Sequence, residues 1–270
     1  MASKLRIRGI GLVYEDEGTG DVVVFIHGQP FNRSMWNYQS QVFNKTKRLI
    51  IPDLRGYGES VTTEPIVLLD ELALDIIYLL NELDIHKAVF VGLSMGGQIA
   101  LEIYRLAPHL VKGLILADTD ARAEDAASYL NRKALAKRLL TEGMEKYTTE
   151  NIGHYLCENT FHTKQEVVDH LSEMMTSTDA AGAAAVQLGR AERRDHSAIL
   201  SNIDFPTLLI VGDQDVFTPV TTAEYMQVRI NRAELAIIKN AGHMPNMEQP
   251  EQFNQLLKDY LDTVYINNNL

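Results

Sequence analysis

One cysteine, Cys157, is all the thiol chemistry this chain holds. An internal disulfide is therefore excluded, and so is a zinc site built on clustered thiols; a lone buried-type cysteine fits a reducing compartment. Positive charge is also scarce. Lys and Arg number 25 against 36 Asp and Glu, a formal net charge of −11. With no basic run to neutralise phosphates, nucleic acid is not an expected partner. Long apolar runs are missing as well. No stretch approaches the about 20 residues needed to span a bilayer, so no membrane partner is expected. The opening Met1-Ala2-Ser3-Lys4-Leu5-Arg6-Ile7-Arg8 has no long apolar core of the kind a secretory signal carries. There is no internal repeat and no low-complexity linker. These absences point to a soluble, cytoplasmic globular protein of one α/β domain with an insertion, or two small domains. Nothing in them sets an oligomeric state.

What is present is organised around Val89-Phe90-Val91-Gly92-Leu93-Ser94-Met95-Gly96-Gly97. An apolar run with strand character ends at Gly92, and a helical pattern begins just after Ser94. Gly-x-Ser-x-Gly between a strand and a helix is the context of a nucleophile elbow. The serine is held in a strained conformation at the sheet edge, and its neighbours two residues away must be small. The helix that follows aims N–H groups at the place where an anion would form.

The rest of the chain fits a parallel sheet covered by helices. Leu5 to Tyr14 alternates as an edge hairpin. Val22–Ile26, Arg48–Ile51, Gly113–Ala117, Thr207–Val211 and Leu235–Ile238 read as strands, and the first is apolar throughout, as a strand buried on both faces is. Leu69, Leu72, Ala73, Ile76, Leu79, Leu80 and Leu83 repeat at helical spacing, and so do Ile99, Ala100, Ile103, Tyr104 and Ala107. Strand and helix alternate up to Ala117. From Asp120 to Ile203 the rhythm breaks into helical stretches, around Ala123–Leu140, Gly143–Cys157, Lys164–Thr176 and Ala180–Arg193. We read these as a helical cap, residues 121–203, inserted into a core of residues 1–120 and 204–270. A last helix opens near Pro250, and the tail Asn267–Leu270 is expected to fray.

In an open parallel sheet, ligands bind beyond the carboxyl ends of the strands. His27–Pro30, Ser94, Asp213–Asp215 and His243 all emerge there. A serine hydroxyl needs a base to take its proton, and the base needs a partner to fix its tautomer. Ser94, His243 and Asp215 supply nucleophile, base and orienter, in the chain order Ser, Asp, His. Asp213 competes with Asp215, but it also suits a helix cap. Asp118 and Asp120 are more distant candidates. His27, at the end of a buried strand, suits a backbone-bonded loop brace. Asp53, Arg55 and Ser60 suit a local network around the glycine loop. The backbone N–H groups of Met95 and Gln29 are the expected oxyanion donors. Trp36, Tyr129, Met144 and Met174 are the candidate lining of a mostly apolar pocket for small to medium substrates, covered by the cap.

These features resemble the α/β-hydrolase family with a helical cap. The resemblance rests on His27-Gly28-Gln29-Pro30, Asp53-Leu54-Arg55-Gly56-Tyr57-Gly58-Glu59-Ser60, Gly92-Leu93-Ser94-Met95-Gly96-Gly97, Gly212-Asp213-Gln214-Asp215 and Gly242-His243 with Glu248-Gln249-Pro250. It implies a mostly parallel eight-stranded sheet flanked by helices. It also implies a carboxylic ester or lactone hydrolase that works through an acyl-enzyme on a small-molecule substrate, with no cofactor and no metal. Ser177-Thr178-Asp179-Ala180-Ala181-Gly182, with Arg190 and Asp195, is similar to 3-oxoadipate enol-lactonases and related esterases. Pro30 is similar to cofactor-free perhydrolases, which would add peracid formation as a side activity. Serine at position 94 departs from the dehalogenase and epoxide hydrolase branches, where the resemblance places aspartate. Hormone receptors and carbon–carbon bond hydrolases share the same scaffold and stand as alternatives.

Overall fold

The protein's structure, a computed structural model, describes residues 2–266; the frayed tail expected at 267–270 lies outside the described residues. Eight strands form one sheet: β1 (Ser3–Ile7), β2 (Ile10–Glu17), β3 (Val22–Ile26), β4 (Arg48–Pro52), β5 (Ala88–Leu93), β6 (Val111–Ala117), β7 (Thr207–Gly212) and β8 (Ala233–Ile238). Their order is β1-β2-β4-β3-β5-β6-β7-β8. β2 pairs antiparallel with β1 and β4, and every other pairing is parallel. The sheet is therefore mostly parallel, as its continuous apolar strands imply.

The period of two sorts each strand between two cores. Val24, Ile26, Phe90, Leu114 and Leu209 face one side; Val23, Phe25, Val89, Val91, Ile115 and Ile210 face the other. Helices α1 (Asn37–Phe43), α2 (Leu69–Glu82) and α3 (Met95–Leu106) come from the first half of the chain. α2 and α3 cover the first face with the leucines and isoleucines of their apolar stripes. The second face is covered by α1, by Trp36 just before it, and by Phe253, Leu257 and Leu261 of the C-terminal helix.

Between β6 and β7 the chain is helical: α4 (Ala126–Tyr155), α5 (Glu158–Thr163), α6 (Gln165–Ser177), α7 (Ala180–Ala191) and α8 (Ser197–Leu200). α4 is interrupted at Gly143 (φ 80°, ψ 172°), a backbone outside the helical region; the two helical stretches expected from the sequence meet at this kink. α9 (Val220–Gln227), α10 (Pro245–Glu248) and α11 (Pro250–Ile266) complete the chain.

The insertion is clamped to the core where two glycines meet. A Cβ added at Gly182, in the first turn of α7, would overlap the carbonyl of Gly56 in the loop after β4. Gly182→Val should therefore cost about 1–3 kcal/mol, the usual penalty of overpacking a close contact; denaturant unfolding of the variant against the parent protein checks it.

Candidate active site

The carboxyl ends of β3, β5, β6, β7 and β8 converge on one rim. β3 lies between β4 and β5, so successive strands depart from it in opposite directions, leaving a crevice beside it. Ser94 stands at this crevice with φ 55° and ψ −116°, a backbone region that costs a non-glycine residue about 1–3 kcal/mol. The surroundings hold it there. Its N–H donates to the Ala117 carbonyl (2.8 Å). Its own carbonyl accepts from the Gly97 N–H (3.0 Å) and the Thr119 hydroxyl (2.6 Å). Side chains at Gly92 or Gly96 would collide with the Gly96 and Ile26 carbonyls respectively, which is the steric basis of the Gly-x-Ser-x-Gly spacing. The Ser94 hydroxyl has no hydrogen-bond partner among the described residues and opens on a cavity.

The loop after β3 lies against this turn. His27 is fully buried. Its Nε2 accepts the Leu54 N–H (3.0 Å) and its Nδ1 lies 2.7 Å from the Gly28 carbonyl. That pattern requires a neutral ring protonated on Nδ1, and burial pushes its pKa down. His27 therefore braces a loop containing the cis Gln29–Pro30 peptide. A Cβ at Gly28 would sit 3.3 Å from Ser94 Cβ, so the Gln29 backbone is beside the serine. The N–H groups of Gln29 and Met95 take no partner among the described residues.

The other side of the crevice carries the imidazole. His243 Nδ1 is 2.9 Å from Asp215 Oδ2. Asp215 also accepts the Thr218 hydroxyl (2.5 Å) and the Phe217 N–H (2.8 Å). Burial alone would raise its pKa, but His243, Thr218 and the Phe217 N–H together outweigh it and hold the carboxylate at about 2. Asp213 is instead directed at the Ala241 N–H and Lys239. The His243 N–H donates to the Tyr155 carbonyl of α4 (2.9 Å). Buried Glu248 accepts the N–H groups of Gly242 (2.7 Å) and Cys157 (2.7 Å), tying the histidine loop to the insertion.

Asp53 and Ser60 brace the glycine loop locally, Asp53 accepting the Glu59 N–H (2.9 Å) and the Ser60 carbonyl the Gly56 N–H (2.6 Å), and all three residues also reach farther. Arg55 chelates Asp75 of α2, Ser60 accepts from Val13 of β2, and Asp53 pairs with Arg33. Asp118 and Asp120 separate: Asp120 pairs with Arg122, whereas Asp118 lies against Asp215. Among the described residues, Asp118, Asp215 and His243 are the one group of carboxylates and imidazole close enough to share a cation, with candidate ligand atoms within 4.8 Å of one another. Most of those atoms are already engaged by each other and by Gly212, Phe217 and Thr218, the pattern of a hydrogen-bonded chain.

The cavity measures about 570 Å³. Gln29, Ser94, Gln98 and His243 line it from the core; Tyr147, Tyr155, Gln187 and Arg190 line it from the insertion. The expected covering of Ser94 by these helices is thus in place. The expected lining is not. Trp36 packs in the second core against Phe25 (5.0 Å between ring centroids) and Phe253 (6.1 Å). Met144 belongs to the first core and Met174 to the second. Tyr129 bonds Glu192 (2.8 Å). None of the four reaches the cavity, because each lies on a helix or loop face turned toward apolar packing or solvent.

Nor is the cavity mostly apolar: five arginines, 122, 132, 138, 190 and 193, line it. Four are paired with carboxylates. Arg122 meets Asp120, Arg132 and Arg193 share Glu124, and Arg138 meets Glu142 and Glu150. Arg190 has no carboxylate partner among the described residues. It is 7% exposed, its Nη1 donates to Gln29 Oε1 (3.2 Å) and its buried Nε meets no acceptor. Burial, with Arg132 and Arg193 nearby, lowers its pKa to about 9, so it remains a cation at neutral pH. One sequence signal could have found it: Arg190 follows Ala183 and Val186 at seven and four residues, on the buried face of α7, where an arginine needs a reason.

Comparison with known proteins agrees with this fold. A family model described as "Alpha/beta hydrolase family" matches residues 23–256. A thermophilic esterase from Thermogutta terrifontis, solved with malate bound, superposes with a TM-score of 0.94 at 36% identity, over 98% of this chain and 99% of that one. The 3-oxoadipate enol-lactonase 2 of Acinetobacter baylyi is 28% identical over 256 residues, 94% of each chain. The enol-lactonase of Burkholderia xenovorans, at 23% identity and a TM-score of 0.89 over 96% of this chain and 99% of that one, shares the fold.

Proposed function

The chain belongs to the alpha/beta hydrolase family, and from that premise we propose that it is a serine hydrolase of carboxylic esters or lactones, acting on substrates that carry a carboxylate of their own. One observation carries the chemistry: the Ser94 hydroxyl and the Asp215-bound imidazole of His243 face the same cavity. Asp215 holds Nδ1, which leaves Nε2 to take the Ser94 proton as the hydroxyl attacks the carbonyl. The Gln29 and Met95 amides, free of other partners, receive the oxyanion; such a donor is worth about 3 kcal/mol in the transition state. His243 then returns the proton to the leaving alkoxide, and water activated by the same ring releases the acid. Similarity to an esterase and an enol-lactonase supports this reaction class.

Arg190 supports the substrate class. A buried guanidinium that lines the cavity with no carboxylate partner among the described residues lacks a counter-charge, and a substrate carboxylate would supply it by a charge-assisted hydrogen bond. The esterase solved with malate, a dicarboxylate, is consistent with such a pocket. The test is a matched panel, monomethyl succinate and adipate against methyl butyrate and hexanoate, with and without Arg190→Gln. A lost hydrogen bond to a charged group costs about 1.5–3 kcal/mol. kcat/KM for the half-esters should therefore fall by about 10- to 100-fold, while neutral esters change by less than about threefold. Equal losses on both classes would rule out carboxylate recognition by Arg190.

A further inference from the structure

Asp118 is a buried acid that the steps above do not use. It follows β6 directly, at φ 45°, and its N–H donates to the Ile210 carbonyl of β7 (2.9 Å). Its Oδ1 accepts the Gly212 N–H (2.9 Å). Its Oδ2 is fully buried, receives no donor among the described residues, and lies against Asp215. The charged and titratable groups that face it are Asp215 from the loop after β7, His243 from the loop after β8 and Glu248 from α10. Among the described residues, no guanidinium or ammonium pairs with either of these two adjacent carboxylates.

Like charges so close and so buried do not both ionise, and one proton is shared between them. Counting donors says which acid keeps it. Asp215 is served by three, the His243 ring, the Thr218 hydroxyl and the Phe217 N–H. Asp118 is served by one, the Gly212 N–H. We infer that Asp118 is a positioning residue, protonated at neutral pH, whose Oδ2–H donates to Asp215, so that the acid orienting His243 is itself held by a second, neutral acid. Burial first, and then the Asp215 charge, push the Asp118 carboxyl well above its ordinary range, in the same sense. The neutral donor also draws charge from Asp215 and tempers its pull on the imidazolium. The inference rests on the proposed roles of Ser94, Asp215 and His243.

Asp118→Asn separates the possibilities, because an amide copies a protonated acid: its Oδ1 keeps the Gly212 N–H and its Nδ2 can donate to Asp215. Asp118→Leu removes both bonds. We expect Asp118→Asn to keep kcat/KM within about threefold and its acid limb within about 0.3 pH units of the parent protein. We expect Asp118→Leu to lose at least about tenfold and to move that limb upward. An ionised Asp118 would instead make Asp118→Asn lower the limb by about one unit or more, since a negative charge next to the ring pair would vanish. A second readout needs no turnover. An acid whose folded pKa is raised contributes its full stability below the ordinary value of 3.8 and loses it as pH rises toward the folded value. Relative to the parent protein, Asp118→Asn should thus gain in melting temperature as pH goes from about 4 to 8; a relative loss over that range overturns the inference. So does inhibition by a chelator that a divalent cation reverses, which would make Asp118 a metal ligand. Labelling by a fluorophosphonate probe, run in parallel, tests the nucleophile by itself: if Ser94 is not labelled, the proposed reaction fails while the melting series still reports on the proton at Asp118.

Discussion

Ser94→Ala is expected to lower kcat for a p-nitrophenyl ester by at least about 10⁴-fold, the scale on which loss of a triad nucleophile acts. The fold should not suffer. The Ser94 hydroxyl makes no hydrogen bond among the described residues, and the bonds that hold this turn run through its backbone N–H and carbonyl, which alanine keeps. Alanine at φ 55° carries about the same backbone strain as serine. The melting temperature of the variant should therefore match the parent protein, and the fluorophosphonate probe should label the parent at Ser94 and leave the variant unlabelled. Turnover within tenfold of the parent, or labelling at another residue, would remove Ser94 from the reaction.

Asp215→Asn is expected to cost about 10⁴-fold in kcat, with KM little changed. An asparagine fits the same space, but its amide must choose. If Nδ2 turns toward His243 Nδ1, that nitrogen must accept, and the ring carries its proton on the face that should receive one from Ser94. If the carbonyl oxygen faces His243, Nδ2 meets the Phe217 N–H that Asp215 Oδ1 now accepts. Either way the developing imidazolium loses its negative partner. The acid side follows from the same contacts. Because the folded carboxylate sits at about 2, the stability it contributes is complete above its ordinary value of 3.8 and is lost as pH falls from there toward about 2. Above pH 4 the Asp215 carboxylate should add no slope of its own to the stability curve, and Asp215→Asn should abolish its share of the slope below. A variant that keeps a tenth or more of parental kcat would show that the orientation of His243 does not depend on this residue.

Much of this architecture is legible in one dimension because its causes are local. The strand–Ser–helix turn demands small residues within two positions of Ser94, and those residues are neighbours in sequence. The apolar runs of β3, β5 and β7 announce strands buried on both faces, and the glycine at 143 announces a break in the long helix. The preference for Asp215 over Asp213 is of the same kind, since two residues of extended chain decide which carboxylate clears the sheet edge.

The pocket is different. Methionines and aromatics in the insertion suggested an apolar chamber, yet Met144 and Met174 fill the cores while arginines reach the cavity. Period and composition identify a helix, but which face it turns inward depends on its rotation about its own axis. Here Gly143 breaks the course of α4, and the Gly56–Gly182 contact seats the start of α7 against the core. The pairing of Asp118 with Asp215 likewise depends on β6 and β7 lying side by side, 97 residues apart along the chain from 118 to 215. By itself, then, the sequence determined the sheet, the covering helices and the elbow at Ser94, because steric and hydrophobic periodicities act over a few residues. Tertiary structure alone decided the charge of the cavity and the company Asp118 keeps, because buried charges are set by whichever partners packing brings within a few ångströms.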